Sequence, residues 1–111
     1  MDISFRSTKL KKQLNESNQL VRIHGQRMAK LIKIRMSELR AASTLDDLRT
    51  GPGRFHELKG SLKWQISADL EHPYRLIFKP NHKTVPTKPD GGLDWKQVTA
   101  IEVIGIEDTH E

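Results

Sequence analysis

Hydrophobic and polar residues recur along the chain with two different spacings, and the change between them falls near Gly51. Before it, Asp2-Ile3-Ser4-Phe5-Arg6 alternates and predicts a short first strand. Ser7 or Thr8 can then cap a short helix carrying Leu10 and Leu14. The segment from about Val21 to Ala42 predicts the clearest helix. At about 100° per residue, Val21, Met28, Leu31, Ile32, Met36 and Leu39 fall on one arc, and Arg22, Lys30, Lys33 and Arg40 on another. Ile23 and Ile34 lie off the apolar arc and form a thin second stripe, which a second helix of a hairpin or a partner would cover.

Ser43-Thr44-Leu45-Asp46-Asp47 holds overlapping capping-box patterns, with acids where a helix dipole favours them. One further helical turn is predicted before Gly51-Pro52-Gly53 breaks it. From there the spacing is two. Phe55, Trp64-Ile66-Ala68-Leu70 and Tyr74-Leu76-Phe78 alternate with polar residues around a Glu71-His72-Pro73 turn, which predicts an antiparallel meander with Tyr74, Leu76 and Phe78 in the core. Lys79 to Gln97, with Pro80, Pro86, Pro89 and Gly91-Gly92, reads as a long functional or mobile loop. Val98 to Ile106 reads as a last strand, apolar enough on both faces to be central or covered. The predicted fold class is α+β: an N-terminal strand and two helices, a short helical turn, then a mostly antiparallel sheet, in a single domain over residues 1–111.

Composition narrows this further. The chain is 35% hydrophobic and 30% charged, a lean core under a heavily solvated surface. It has no cysteine, so neither a disulfide framework nor a thiolate zinc site is expected. No apolar run approaches the roughly 20 residues of a membrane span, and MDISFRSTKLKK lacks the apolar core of a signal peptide. A cytoplasmic protein with no membrane association is the expectation. The net charge of +5 is uneven. Residues 1–42 carry ten Lys/Arg against three Asp/Glu, and residues 43–111 carry nine against eleven. A basic half invites a polyanion or an acidic protein partner, although solvated helix faces explain such charge equally well.

Three groups of residues can carry chemistry. Arg54-Phe55-His56-Glu57-Leu58-Lys59-Gly60 sits where a strand gives way to a turn. In Tyr74-Arg75-Leu76-Ile77-Phe78, Arg75 points away from the predicted core residues. The tail supplies Asp108 and His110. If the strands are neighbours, these converge, and they suit cleavage of RNA without a metal or other cofactor. A base removes the 2′-hydroxyl proton, fixed cations stabilise charge growing on phosphorus, and an acid protonates the leaving 5′-oxygen. Histidine and carboxylate serve the proton transfers, while Lys59 and Arg75 hold the phosphate. Each residue also has a plainer reading, as a surface histidine, a cross-strand ion-pair partner or an exposed acidic tail. His24, His72 and His82 show no metal-binding spacing and read as surface or turn residues.

The same stretches carry a family resemblance. His56-Glu57-Leu58-Lys59-Gly60, Trp64-Gln65-Ile66-Ser67, Tyr74-Arg75-Leu76-Ile77-Phe78 and Glu107-Asp108-Thr109-His110 resemble, in order, the motifs of the HigB-like branch of the RelE/ParE toxin superfamily. These are small toxins of bacterial type II toxin–antitoxin systems, also known as plasmid maintenance killer proteins. The resemblance implies a RelE-like fold and a ribosome-dependent endoribonuclease that cuts mRNA, inhibits translation and is silenced by a cognate helix-turn-helix antitoxin. Ribosome and mRNA are then the partners, and operator DNA is reached only through the antitoxin. His56, Asp108 and His110 match the family's acid–base residues, and Lys59 and Arg75 its phosphate-binding cations. Lys63 and Thr109 are read as substrate-binding. Thr109 stands where the family usually has tyrosine. The stacking an aromatic would offer an mRNA base, about 1–3 kcal/mol, is therefore missing, and the expected activity is weaker, differently specific or absent. Two other readings stand beside this one: a catalytically silent protein of the same fold that acts by binding, as a gyrase poison or partner-binding module, and a basic nucleic-acid-binding module.

Overall fold

A computed structural model describes residues 1–59 and 63–108. Strand β1 (Asp2–Phe5) is followed by helices α1 (Thr8–Asn15), α2 (Ser17–His24) and α3 (Gln26–Ala41). Strands β2 (His56–Glu57), β3 (Ile66–Asp69), β4 (Tyr74–Pro80) and β5 (Ala100–Asp108) complete a sheet of order β1-β5-β4-β3-β2. β2 to β5 form the expected antiparallel meander, and β1 closes it by pairing parallel to β5. The fold class is the α+β arrangement read from the sequence.

The helices differ from the expectation in number. Instead of one helix across residues 21–42 there are two, because Gly25 adopts φ 83°, a left-handed conformation that ends α2 and starts α3. Ser7 is the cap of α1, its hydroxyl accepting from the Leu10 N–H at 3.1 Å. α3 lays Met28, Ala29, Ile32, Met36 and Leu39 on the sheet. Ile66, Ala68, Leu76, Phe78, Ile101 and Val103 meet them from the strands. Val21, Ile23 and Ile34 remain exposed. Among the described residues, no helix is long and apolar enough to cross a membrane.

Two further expectations change. Tyr74, predicted in the core, is 44% exposed, because it opens β4 at the end of the sheet. The loop after β4 is exposed or half-exposed over residues 81–92 and anchored in its last part. Leu93, Trp95 and Val98 are buried in the main core. The Trp95 indole donates to Glu57 at 3.0 Å, and the Arg49 guanidinium stacks 4.3 Å from its ring centre. Burying an indole makes this segment a wall of the domain.

Candidate active site on the sheet face turned from the helices

Alternation along β3 and β4 sends Ile66, Ala68, Leu76 and Phe78 to the helices, and Ser67, Asp69, Arg75 and Ile77 to the other side. Leu58, Ile77 and Ile104 form a small apolar cluster of their own there. Register then builds two rows across the strands. One runs His56–Ser67–Ile77–Gly105, the other Asp69–Arg75–Glu107. Ser67 and Asp69 are two residues apart on β3, so the rows are separated by about 7 Å.

His56 is half-buried, and its neighbours fix its proton. Its Nδ1 lies 2.9 Å from the Arg54 carbonyl, which can only accept, so the neutral ring carries its proton on Nδ1. Nε2 is left with a lone pair, 3.3 Å from the hydroxyl of the wholly buried Ser67, which donates to it. That contact lies at the long end of the hydrogen-bond range, and a hydroxyl that takes it over must offset about 1–3 kcal/mol for leaving the buried Ser67 hydroxyl unpaired.

The arginine row is tied together by Asp69. Its Oδ1 lies 3.6 Å from Arg75 Nε, and its Oδ2 lies 3.7 Å from Arg54 Nε. The main chain of Asp69 is pinned on both sides. Its N–H donates to the Gly53 carbonyl at 2.8 Å, and its carbonyl accepts from Arg35 Nε at 2.7 Å. Arg35 is a buried arginine of α3 that also pairs with Glu38 at 2.9 Å. The turn before β2 fits closely around it: a Cβ on Gly53 would lie 2.5 Å from the Phe55 ring and 3.0 Å from Arg35.

The sequence-derived candidates are distributed as follows. His56 and Arg75 stand in these neighbouring rows. Lys59 is exposed just beyond β2. Lys63 is exposed too, its ammonium 4.7 Å from the ring centre of Trp64. Asp108 ends β5 in register with Tyr74, so it is Glu107 that lies opposite Arg75. Thr109 and His110 lie outside the described residues. Arg35 and Asp69 were not singled out from sequence, and Arg54 and Ser67 stood there only inside longer stretches, with no role of their own. Ser67 and Asp69 did share the spacing of Arg75 and Ile77, a polar parity that was readable. Among the described residues, no cluster of three or more histidine and acidic side chains has the geometry to hold a metal ion.

Residues 3–87 match the family model of HigB-like toxins, described as RelE-like toxins of the type II toxin–antitoxin system HigB. The chain belongs to this family. The matched span includes His56, Lys59, Lys63 and Arg75; Asp108 lies beyond it. In fold, this HigB-like toxin chain is similar to the YoeB–YefM complex from Staphylococcus aureus. That likeness has a TM-score of 0.54 at 17% identity and covers 100% of this chain and 98% of that one. No curated protein sequence matches the chain significantly.

Proposed function

We propose that the chain is the toxin of a type II toxin–antitoxin pair and acts in the cytoplasm as a ribosome-dependent endoribonuclease on mRNA. The observation that carries this reading is the fixed tautomer of His56, whose basic Nε2 stands one row from Arg75. In the proposed reaction, His56 Nε2 takes the proton of a ribose 2′-hydroxyl as that hydroxyl displaces Ser67. The 2′-oxygen bonds to phosphorus while the P–O5′ bond breaks. Arg75 and Lys59 hold the non-bridging oxygens, where charge grows. His110, assisted by Asp108, protonates the leaving 5′-oxygen, and the products end in a cyclic phosphate and a 5′-hydroxyl. Thr109 and Lys63 contact the substrate beside this centre, with Thr109 offering no stacking plane.

Induced expression with mapping of mRNA 5′ ends tests this. The parent chain should arrest growth and create new 5′ ends within translated frames. His56→Ala, at equal expression, should lower single-turnover cleavage on programmed ribosomes by about 10²–10⁴-fold, the usual contribution of a general base. Arg75→Ala should lower it by about 10²–10³-fold, as for loss of one preorganised donor to a growing charge. Growth arrest without new 5′ ends would instead make the chain a binding toxin.

A further inference from the structure

We propose that Arg54 is a second phosphate-binding residue of this site, gripping the backbone phosphate next to the one held by Arg75, with Asp69 as the fixed hinge between the two guanidiniums. This rests on the endoribonuclease reading and extends it to a residue to which that reading gives no role in binding.

The argument begins with a mismatch between cost and benefit at Arg54. Its φ of 50° is left-handed, a conformation that costs a residue with a Cβ about 1–2 kcal/mol and that glycine adopts freely. Among the described residues, the one ion pair gained, to Asp69 at 3.7 Å, involves a side chain that is 78% exposed. Exposed pairs of this kind contribute about 0–1 kcal/mol. Stability therefore gives no reason for an arginine here. The main-chain task of this position, the carbonyl that holds His56, needs no side chain at all. What remains is the guanidinium itself, a planar donor suited to phosphate.

Its position is defined through Asp69. Both carboxylate oxygens face an arginine, and the Asp69 main chain is held by Gly53 and by the buried Arg35. The two guanidiniums are consequently neighbours on one face, beside the His56 row, with Asp69 between them and Glu107 across from Arg75 on β5. An extended single strand presents phosphates in succession. One on Arg75 brings the next within reach of Arg54, whose weak, solvent-exposed pairing is readily exchanged for a charge-assisted bond to phosphate.

Single-turnover cleavage of mRNA on programmed ribosomes, across protein and salt concentrations, tests this with Arg54→Gly, Arg54→Lys, Arg75→Ala and Lys83→Ala. Glycine keeps the left-handed backbone and the carbonyl on His56, so Arg54→Gly removes the guanidinium alone; urea unfolding should find it at least as stable as the parent. Its half-saturating concentration should rise about tenfold or more, as for a lost hydrogen bond to a charged group. The maximal rate should stay within about threefold. The logarithmic salt slope should fall by about 0.7, one phosphate contact on a single strand. Arg54→Lys should lie between, and Lys83→Ala, a lost surface charge elsewhere, should match the parent. An Arg54→Gly protein indistinguishable from Lys83→Ala, while Arg75→Ala loses cleavage, would overturn the proposal and leave the endoribonuclease reading intact. Absence of cleavage by the parent would overturn that reading, and the proposal with it.

Discussion

Two histidines show how surroundings set the chemistry of one side chain. At His56 the Arg54 carbonyl selects the tautomer, and so decides which nitrogen faces the site. At His24, the last residue of α2, burial disfavours the charged ring and holds it below the ordinary imidazole value of 6.5. Arg6 and Glu107 line one hollow beside it and Glu71 another, but desolvation is the cause of the shift. Its folded-state pKa is therefore depressed, so the unfolded chain binds more protons as pH drops through the window at and below 6.5. Stability contributed by the neutral ring is complete above that window and is lost as pH falls through it. Urea midpoints should drop between about pH 7 and pH 5, and His24→Gln should drop less over the same interval. Equal slopes for parent and variant would mean that His24 takes no part.

The break between α2 and α3 is the clearest case of an element boundary set by a single residue. A Cβ at Gly25 would meet nothing within 4 Å, so the demand there is conformational and not steric. Gly25→Ala should thus cost about 1–2 kcal/mol, the penalty of a left-handed L-residue, with no change in core packing. Chemical denaturation should show it as a lower midpoint at constant slope. A neutral substitution would mean that the two helices can merge without loss. The strand and helix faces were legible because each is a local period: Leu76 and Phe78 are buried as their alternation demands, and Met28, Ile32, Met36 and Leu39 as theirs does. What was not legible depends on pairing across the chain. The parallel contact of β1 with β5 joins residues about a hundred positions apart. Trp95 sits in a proline-rich segment with no period, so nothing local marked it as core. In the candidate site, type and motif pointed to His56 and Arg75, which the register sets in neighbouring rows. The placement of Asp69 and Arg54 beside them was not legible, since it follows from the β3–β4 register and from one left-handed residue.

The molecule as a whole is electrically lopsided, and this bears on what covers it. Residues 1–42 carry a balance of +7, and residues 43–111 one of −2. They also carry Val21, Ile23 and Ile34, three of the four large apolar side chains found exposed among the described residues. The fourth, Tyr74, lies with Ile23 in one hollow of about 420 Å³, together with His24, Met28, Glu71 and Ile106. A hollow of mixed polar and apolar lining in the basic half of the chain suits an amphipathic acidic segment, whose apolar side chains meet Ile23 and Tyr74 while its carboxylates meet the excess cations of residues 1–42. Under the proposed function this segment belongs to the antitoxin, and the complex would reach operator DNA through that partner alone. Co-expression with a cognate helix-turn-helix antitoxin should give a complex that co-purifies and weakens as salt is raised. Ile23→Asp removes an apolar anchor and sets a carboxylate against an acidic partner. Its complex should dissociate at least about tenfold more readily, a loss of the order of one interface anchor. His56→Ala, on the opposite face of the sheet, should leave the complex unchanged, which separates docking from catalysis. Should Ile23→Asp co-purify as well as the parent at every salt concentration, the partner binds elsewhere, and the exposed apolar residues of α2 and α3 have another use.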